Sequence, residues 1–324
     1  MINAKKQLLQ TQKTVVLTGN KKKTLKNMWE FRELYLFLAL GVIWTFVFSY
    51  VTMYGLLMAF QDAKLGTIIG QADWIGLYHF DVFLNGIFFK ATMLNSVIYS
   101  LLGNFVYTPC ALALALLLHN STSGKLKKLA QNLTYIPHML SLVVVFSVLD
   151  LFVNHNTGLI NVIATRITGV ESNFNFYTNG QPILIALYLI VGVWQESGYS
   201  AIVYIGALSS VDEEMVEAAR IDGATKWRII WSIQLPTILP TVVTMMVMKL
   251  GNIFSVGTEK ILLMQNDLNI MDTEVIGTYV YKLTTGDARY GFSTAVSVFQ
   301  NVISLAMMLI VNKLGDKLAG ISVI

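Results

Sequence analysis

Between Glu33 and Asp62 not one residue is charged, and none is charged between Lys90 and Lys125. A bilayer core ~30 Å thick is crossed by about 20 helical residues, so either stretch is long enough to span it. Four more charge-free windows follow, at 129–149, 172–195, 229–248 and 290–312. Leu, Ile, Val, Phe, Ala and Met fill their cores in continuous runs, whereas strands of a membrane barrel would alternate apolar and polar residues. Composition agrees, since 55% of the 324 residues are apolar and only 13% are charged, against about a quarter in a soluble domain. The expected fold is all-α: a polytopic membrane protein with six transmembrane helices within 34–313. A soluble enzyme is excluded.

The positions of Lys and Arg orient these spans. Segments 1–33, 119–130, 205–235 and 312–324 hold sixteen of them, against six in 61–90, 154–181 and 257–289. Positive loops stay on the cytoplasmic side, which places both termini in the cytoplasm. Residues 1–33 then form a basic cytoplasmic segment and 314–324 a cytoplasmic tail. The first apolar run is too long for a signal-peptide core and lacks a small-residue cleavage site, so it is expected to remain as a span. Lys5, Lys6, Lys13, Lys21, Lys22, Lys23 and Lys26 would suit anionic lipid headgroups, although a solvated tail that only sets topology explains them equally. Among the prolines, Pro182 and Pro236 stand near span starts, where a missing N–H costs nothing. Pro137 is read as near the start of the third span, and Pro109 as a kink inside the second.

Little here supports chemistry in the chain itself. The one cysteine, Cys110, excludes an internal disulfide, and His79, His119, His138 and His155 show no metal-ligand spacing. No catalytic or metal site is expected, and nothing points to nucleic acid. A phosphate-binding loop is missing as well: the Gly124-Lys125 pair is followed by Leu126, and position 119 is not glycine. No ATP or Mg site is therefore expected in the chain itself.

One cytoplasmic loop is long and patterned. Residues 209–240 read SSVDEEMVEAARIDGATKWRIIWSIQLPTILP. Ser210 with Glu213 forms a capping box that starts a helix near Val211. Asp212, Glu213, Glu214 and Glu217 suit the positive end of its dipole. Gly223 offers a left-handed stop, and a second short helix, TKWRIIWSI, leads to Pro236. The result is a rigid helical element with small Ala218 and Ala219, tied at both ends to the membrane. A bilayer-resting helix is the alternative, but four acids beside an anionic leaflet would be repelled.

The spacing Glu217-Ala218-Ala219, Gly223, Ile233, Leu235-Pro236 resembles the signature of binding-protein-dependent ABC import permeases. The likeness covers residues ~34–318, judged by span order. KLGNIFSVGTEKILLM, TYVYK and YGFSTAVSVFQNVISL, late in the chain, are similar to the maltose-type carbohydrate branch and its polysaccharide subgroup. They look most like the first permease subunits of alginate importers. The Lys-rich start and the ending AGISVI depart from that pattern. The resemblance implies that loop 205–235 carries a coupling helix, with Glu217, Ala218, Ala219, Asp222 and Gly223 at the contact with an ATPase. It also implies the partners: a second homologous permease, two ATP-binding cassette subunits, an extracytoplasmic solute-binding protein and a saccharide.

For the sugar path the expected residues are Trp194, Glu196, Tyr199, Lys249, Asn252 and Ser255. Aromatic faces and hydrogen-bonding groups hold sugars, and such groups are costly on a lipid-facing helix. By resemblance, Tyr199 and Asn252 match sugar-contacting positions, and Lys249 is a cation for a carboxylate of an acidic polysaccharide. These groups would otherwise bond helix to helix. Two other classes compete. An ion-coupled secondary transporter or channel would place an ionisable residue deep in a span, whereas Asp150, Glu196 and Lys249 are read as lying near span ends or polar breaks. A membrane-embedded enzyme would need paired acids near a histidine, which are absent.

Overall fold

A computed structural model describes residues 31–64, 66–254 and 257–319. The basic residues Lys5–Lys26, Ser255 and the terminal residues 320–324 lie outside the described residues. The chain divides into two units, Met1–Leu56 and Leu57–Ile324. In the first, α1 (Arg32–Thr45) continues into a π-turn (Phe46–Tyr50) and a 3-10 stretch that starts at Val51. The run Arg32–Phe60 has a mean hydropathy of 2.1 over its best window, above those of the other four long apolar helices.

The second unit holds, in order, α2 (Tyr78–Leu84), α3 (Ile87–His119), α4 (Gly124–Met139), α5 (Leu142–Val153), α6 (Leu159–Thr168) and α7 (Gln181–Leu208). These are followed by α8 (Glu213–Ile221), α9 (Lys226–Ile229), α10 (Leu235–Gly251), α11 (Thr258–Met264), α12 (Ile270–Thr273), α13 (Ile276–Thr285) and α14 (Tyr290–Ala319). Among the described residues five helical runs are long and apolar enough to cross a bilayer. The sixth expected span is α4 and α5, bent by 102°. The bend has a local cause: Leu140 is extended, and the Ser141 hydroxyl accepts from Val144 N to start a new helix. Pro137 thus ends α4 instead of starting a span. Pro109 lies inside α3, which continues through it without a break. The helix α14 runs on to Ala319, past the expected boundary at 313.

Two spans begin or end elsewhere than the charge-free windows imply. Residues 172–180 are uncharged but carry Asn175 and Asn179, whose side chains make local hydrogen bonds with the Tyr177 N–H and the Asn175 carbonyl. Helix α7 begins only at Gln181, with Pro182 in its first turn as expected. It also continues past Glu196, which therefore lies just past the middle of a 28-residue helix and not at its end. The expected second loop helix and the fifth span form one helical run, Lys226–Gly251. Pro236 has no N–H and would crowd the carbonyl four residues back. A π-turn, Ile230–Gln234, widens the helix just before it.

The buried face of α3 is its polar one: Thr92, Asn95, Ser96, Tyr99, Ser100, Gly103, Asn104, Tyr107, Thr108, Ala111 and Ala115. In lipid the apolar face turns outward, and small or hydroxylated residues let helices approach. Helix α7 packs along that face. A Cβ on Gly198 would stand 2.0 Å from the Thr134 carbonyl, so only glycine lets α7 approach α4. At one end of the bundle, Asn95 donates to the carbonyls of Met271 and Glu274, and Gln181 donates to Asn95. Buried Glu274 accepts from Thr278 and Lys282. This network fixes α12 and α13 against α3 and α7.

Candidate functional site

At the loop between α7 and α10, helix α8 is capped by Asp212, whose carboxylate accepts from Glu214 N. The expected cap, Ser210, instead donates its hydroxyl to the Ala207 carbonyl. An aspartate one residue before the first helical residue reaches the free N–H groups directly and adds its charge to the dipole. The other end is closed by two bonds, Gly223 N to Arg220 O and Ala224 N to Ala219 O. Gly223 has φ +79°. That is the Schellman arrangement, with glycine at the left-handed position. The E-A-A-x-x-x-G spacing is thus a cap geometry: Ala219 supplies the carbonyl that Gly223 lets the chain return to.

Nothing in α8 is buried. Met215 and Ile221 are exposed beside Ala218, and Trp227 and Trp231 are exposed beyond the turn. Behind α8 lies a cavity of about 580 Å³ whose wall includes Lys127, Glu213, Glu217, Arg220 and Lys226. Asn120 and Gln234 exchange hydrogen bonds at 2.8 and 3.0 Å, fastening the α3–α4 loop to the foot of α10.

Within the membrane unit the helical run of the fifth span ends at Gly251 and resumes only at α11. Lys260, on α11, is 6% exposed. Its ammonium donates to Glu196 of α7. It also stands 5.4 Å from the Tyr107 ring centre and 5.8 Å from that of Tyr188. Two charges in the bundle neutralise each other, and the aromatic faces add cation–π attraction. Beside the pair is a cavity of about 280 Å³ between Leu142, Tyr188, Glu196 and residues 257–260. Gly257, at φ +81°, forms part of its wall, and a Cβ there would meet the Tyr188 hydroxyl at 2.5 Å. Irregular backbone at membrane depth is tolerated where it lines such a space.

The family of binding-protein-dependent transport system inner membrane components matches residues 108–320. The chain belongs to this family. Among similar proteins is the polygalacturonan/rhamnogalacturonan transport system permease protein YteP of Bacillus subtilis (strain 168). It is 32% identical over 297 residues, covering 92% of each chain. A chain from the crystal structure of a bacterial ABC transporter involved in the import of the acidic polysaccharide alginate superposes with a TM-score of 0.83. It shares 31% identity and covers 92% of this chain and 99% of that one. A second crystal structure, of a bacterial alginate ABC transporter with an alginate pentasaccharide-bound periplasmic protein, gives the same score and identity. Its coverage is 93% and 99%.

Among the sequence-predicted residues of this permease, Glu217, Ala218, Ala219, Asp222 and Gly223 fall together on α8 and its cap. Of the six expected in the sugar path, Ser255 lies outside the described residues and the other five are not gathered. Glu196 lines the smaller cavity; Trp194 and Tyr199 do not, and each is about half exposed. Tyr199 stacks on His138, ring centres 4.1 Å apart. Asn252 caps α10 and donates to the Met248 carbonyl. Half-buried Lys249 lies within electrostatic reach of both Glu196 and Lys260. Sequence reasoning missed Lys260, Tyr107 and Tyr188. It assigned Lys260 to the outer segment 257–289, and the structure places it against the middle of α7. The available signal was its position, one lysine between GTE and the apolar ILLM directly after a glycine-rich break.

Proposed function

We propose that this permease is one of two homologous membrane subunits of an ATP-driven importer of acidic oligo- or polysaccharides. Two ATP-binding cassette subunits would carry ATP and Mg, and an extracytoplasmic solute-binding protein would deliver the sugar. Both termini lie in the cytoplasm in this reading. The observation that carries it is the near-complete overlap with an alginate importer subunit at a TM-score of 0.83. The similarity to a permease for another polymer of acidic sugars supports the same substrate class.

In this mechanism α8 docks on an ATPase subunit. Its exposed Met215, Ala218 and Ile221 supply an apolar contact and Glu217 a charge. The Gly223 cap holds the helix at a fixed angle to α10. Closure of the ATPase pair then moves the helical run Lys226–Gly251 as a rigid lever, because no loop interrupts it between α9 and α10. Alternating access follows from rocking of the two permease subunits about a central site. The ion-coupled alternative has one observation in its favour, the ionisable Glu196 inside the bundle. One oxygen of its carboxylate accepts from Lys260, and an acid paired with a cation inside a bundle is accounted for without ion coupling, which favours the sugar reading. Uptake by the complete complex in vesicles tests the choice. Import of oligogalacturonate or alginate oligosaccharide that needs ATP supports it. Import that follows an ion gradient and ignores ATP refutes it.

A further inference from the structure

We propose that Glu196 is a resident counter-ion that keeps Lys260 available for a carboxylate of the passing sugar, which displaces it. This deepens, and rests on, the acidic-saccharide reading above.

Four observations converge on Lys260. Its side chain is 8% exposed, whereas that of Glu196 is 33% exposed. The lysine is therefore held and the glutamate has room to swing. A buried ammonium left alone in a membrane protein is costly, so a charge that leaves must be replaced by another of the same sign. A uronic-acid carboxylate supplies one, as a charge-assisted hydrogen-bond acceptor in the same position. The space for the incoming sugar is present: the cavity of about 280 Å³ touches both members of the pair. That is close to the lower end of the usual ~300–1,000 Å³ range of ligand pockets.

The third observation is an unused donor. The Tyr188 hydroxyl is buried without a hydrogen bond, the neighbouring Tyr107 hydroxyl donating to the Tyr188 carbonyl at 3.1 Å. Tyr188 lines the same cavity, so a sugar hydroxyl entering there would satisfy it. Buried polar groups left unpaired are rare and call for a partner. The fourth is the second cation: Lys249 feels both charges of the pair and receives the glutamate when the sugar takes Lys260. Exposed Glu259 stands on the cavity rim, where it would repel an acid not yet neutralised by Lys260. A pair serving only to join α7 to α11 would need neither the cavity nor the spare hydroxyl.

The test uses the complete complex with its binding protein in proteoliposomes. The probes are the trimers of galacturonate and of mannuronate, each compared with its carboxyl-reduced, neutral counterpart. The binding protein is the same in every arm, so a change in the acidic-to-neutral uptake ratio belongs to this chain. Glu196→Gln frees Lys260 and is expected to keep or raise the ratio. Glu196→Gln/Lys260→Gln, which leaves no buried charge behind, is expected to lower it about tenfold or more. That is the worth of one hydrogen bond to a charged group. An unchanged ratio in the assembled double variant overturns the proposal, as does a Glu196→Gln complex that assembles yet shows a lowered ratio. Wild-type complex that imports neither form refutes the saccharide reading itself, and the proposal with it.

Discussion

Gly257 tests the geometry of the break in the fifth span more sharply than any charged residue. Two separate costs meet there. Its φ of +81° is a left-handed conformation, which costs a residue with a Cβ ~1–2 kcal/mol. The Cβ itself would lie 2.5 Å from the Tyr188 hydroxyl, 3.0 Å from Cε2 and 3.1 Å from Cζ. Overpacking of that kind costs ~1–3 kcal/mol, so Gly257→Ala should lose about 2–5 kcal/mol in all. Tyr188→Phe alone should cost almost nothing, because the hydroxyl it removes makes no hydrogen bond. In the double variant the shortest contact is gone and the ring needs to move only a few tenths of an ångström. The overpacking share should return and the backbone share should not.

The sole cysteine gives a readout. Cys110 is half-buried in α3, and a fluorogenic thiol reagent reports its exposure as the complex is heated, with partner subunits made cysteine-free. The expected order of melting temperature is wild type and Tyr188→Phe together, then the double variant, then Gly257→Ala. Equal stability of Gly257→Ala and wild type would refute the left-handed, closely packed Gly257. Failure of Tyr188→Phe to restore anything would refute the contact.

Three further outcomes are expected. Gly223→Val, which meets no atom within 4 Å, should cost only the ~1–2 kcal/mol of a β-branched residue at positive φ. It should impair transport in a fully assembled complex, whereas Gly223→Asn, which tolerates that conformation, should transport normally; equal activity of the two sinks the role of the cap. Burial lowers the His79 pKa below the usual 6.5, and its Nε2 bonds the Gln61 carbonyl at 3.1 Å. The melting advantage of wild type over His79→Gln should thus be complete above pH ~6.5 and shrink as pH falls toward the depressed pKa, and a pH-independent difference would contradict this. A cysteine at position 217, in a background with Cys110 replaced, should react with a membrane-impermeant thiol reagent only after the membrane is opened, and labelling from outside intact cells would overturn the orientation.

Most of the helix content was legible because lipid imposes one rule, that long charge-free apolar segments span. The errors fall where charge-free and apolar part company. Residues 172–180 carry no charge, yet Asn175 and Asn179 brace a turn at 176–178, so α7 starts late. The third window, 129–149, is charge-free throughout, but the Ser141 cap divides it. A hydropathy count is blind to a single hydroxyl that satisfies a backbone N–H. The polar face of α3 was readable: Thr92, Asn95, Tyr99, Gly103, Tyr107, Ala111 and Ala115 recur every three or four residues, the helical period that marks a protein-facing stripe.

The helix α8 and its Gly223 stop were legible, though not its true cap, because their chemistry is local. Asp212, Ala219 and Gly223 lie within one short helix and its cap, and each acts on backbone groups at most five residues away. The smaller cavity was not, for the opposite reason. Glu196 ended a charge-free window and so looked like the edge of a span, while Lys260 looked like a loop residue. Neither inference allowed for the other. Paired, they cancel, and each can sit where alone it would be expelled. The partner of Glu196 is 64 residues away in sequence, beyond any window, and only the return of α11 into the bundle brings it there. A charge that ends a hydropathy window in a membrane protein is therefore ambiguous. It marks either the end of the span or one half of a pair, and an unexplained lysine after a glycine-rich break is where the other half is found.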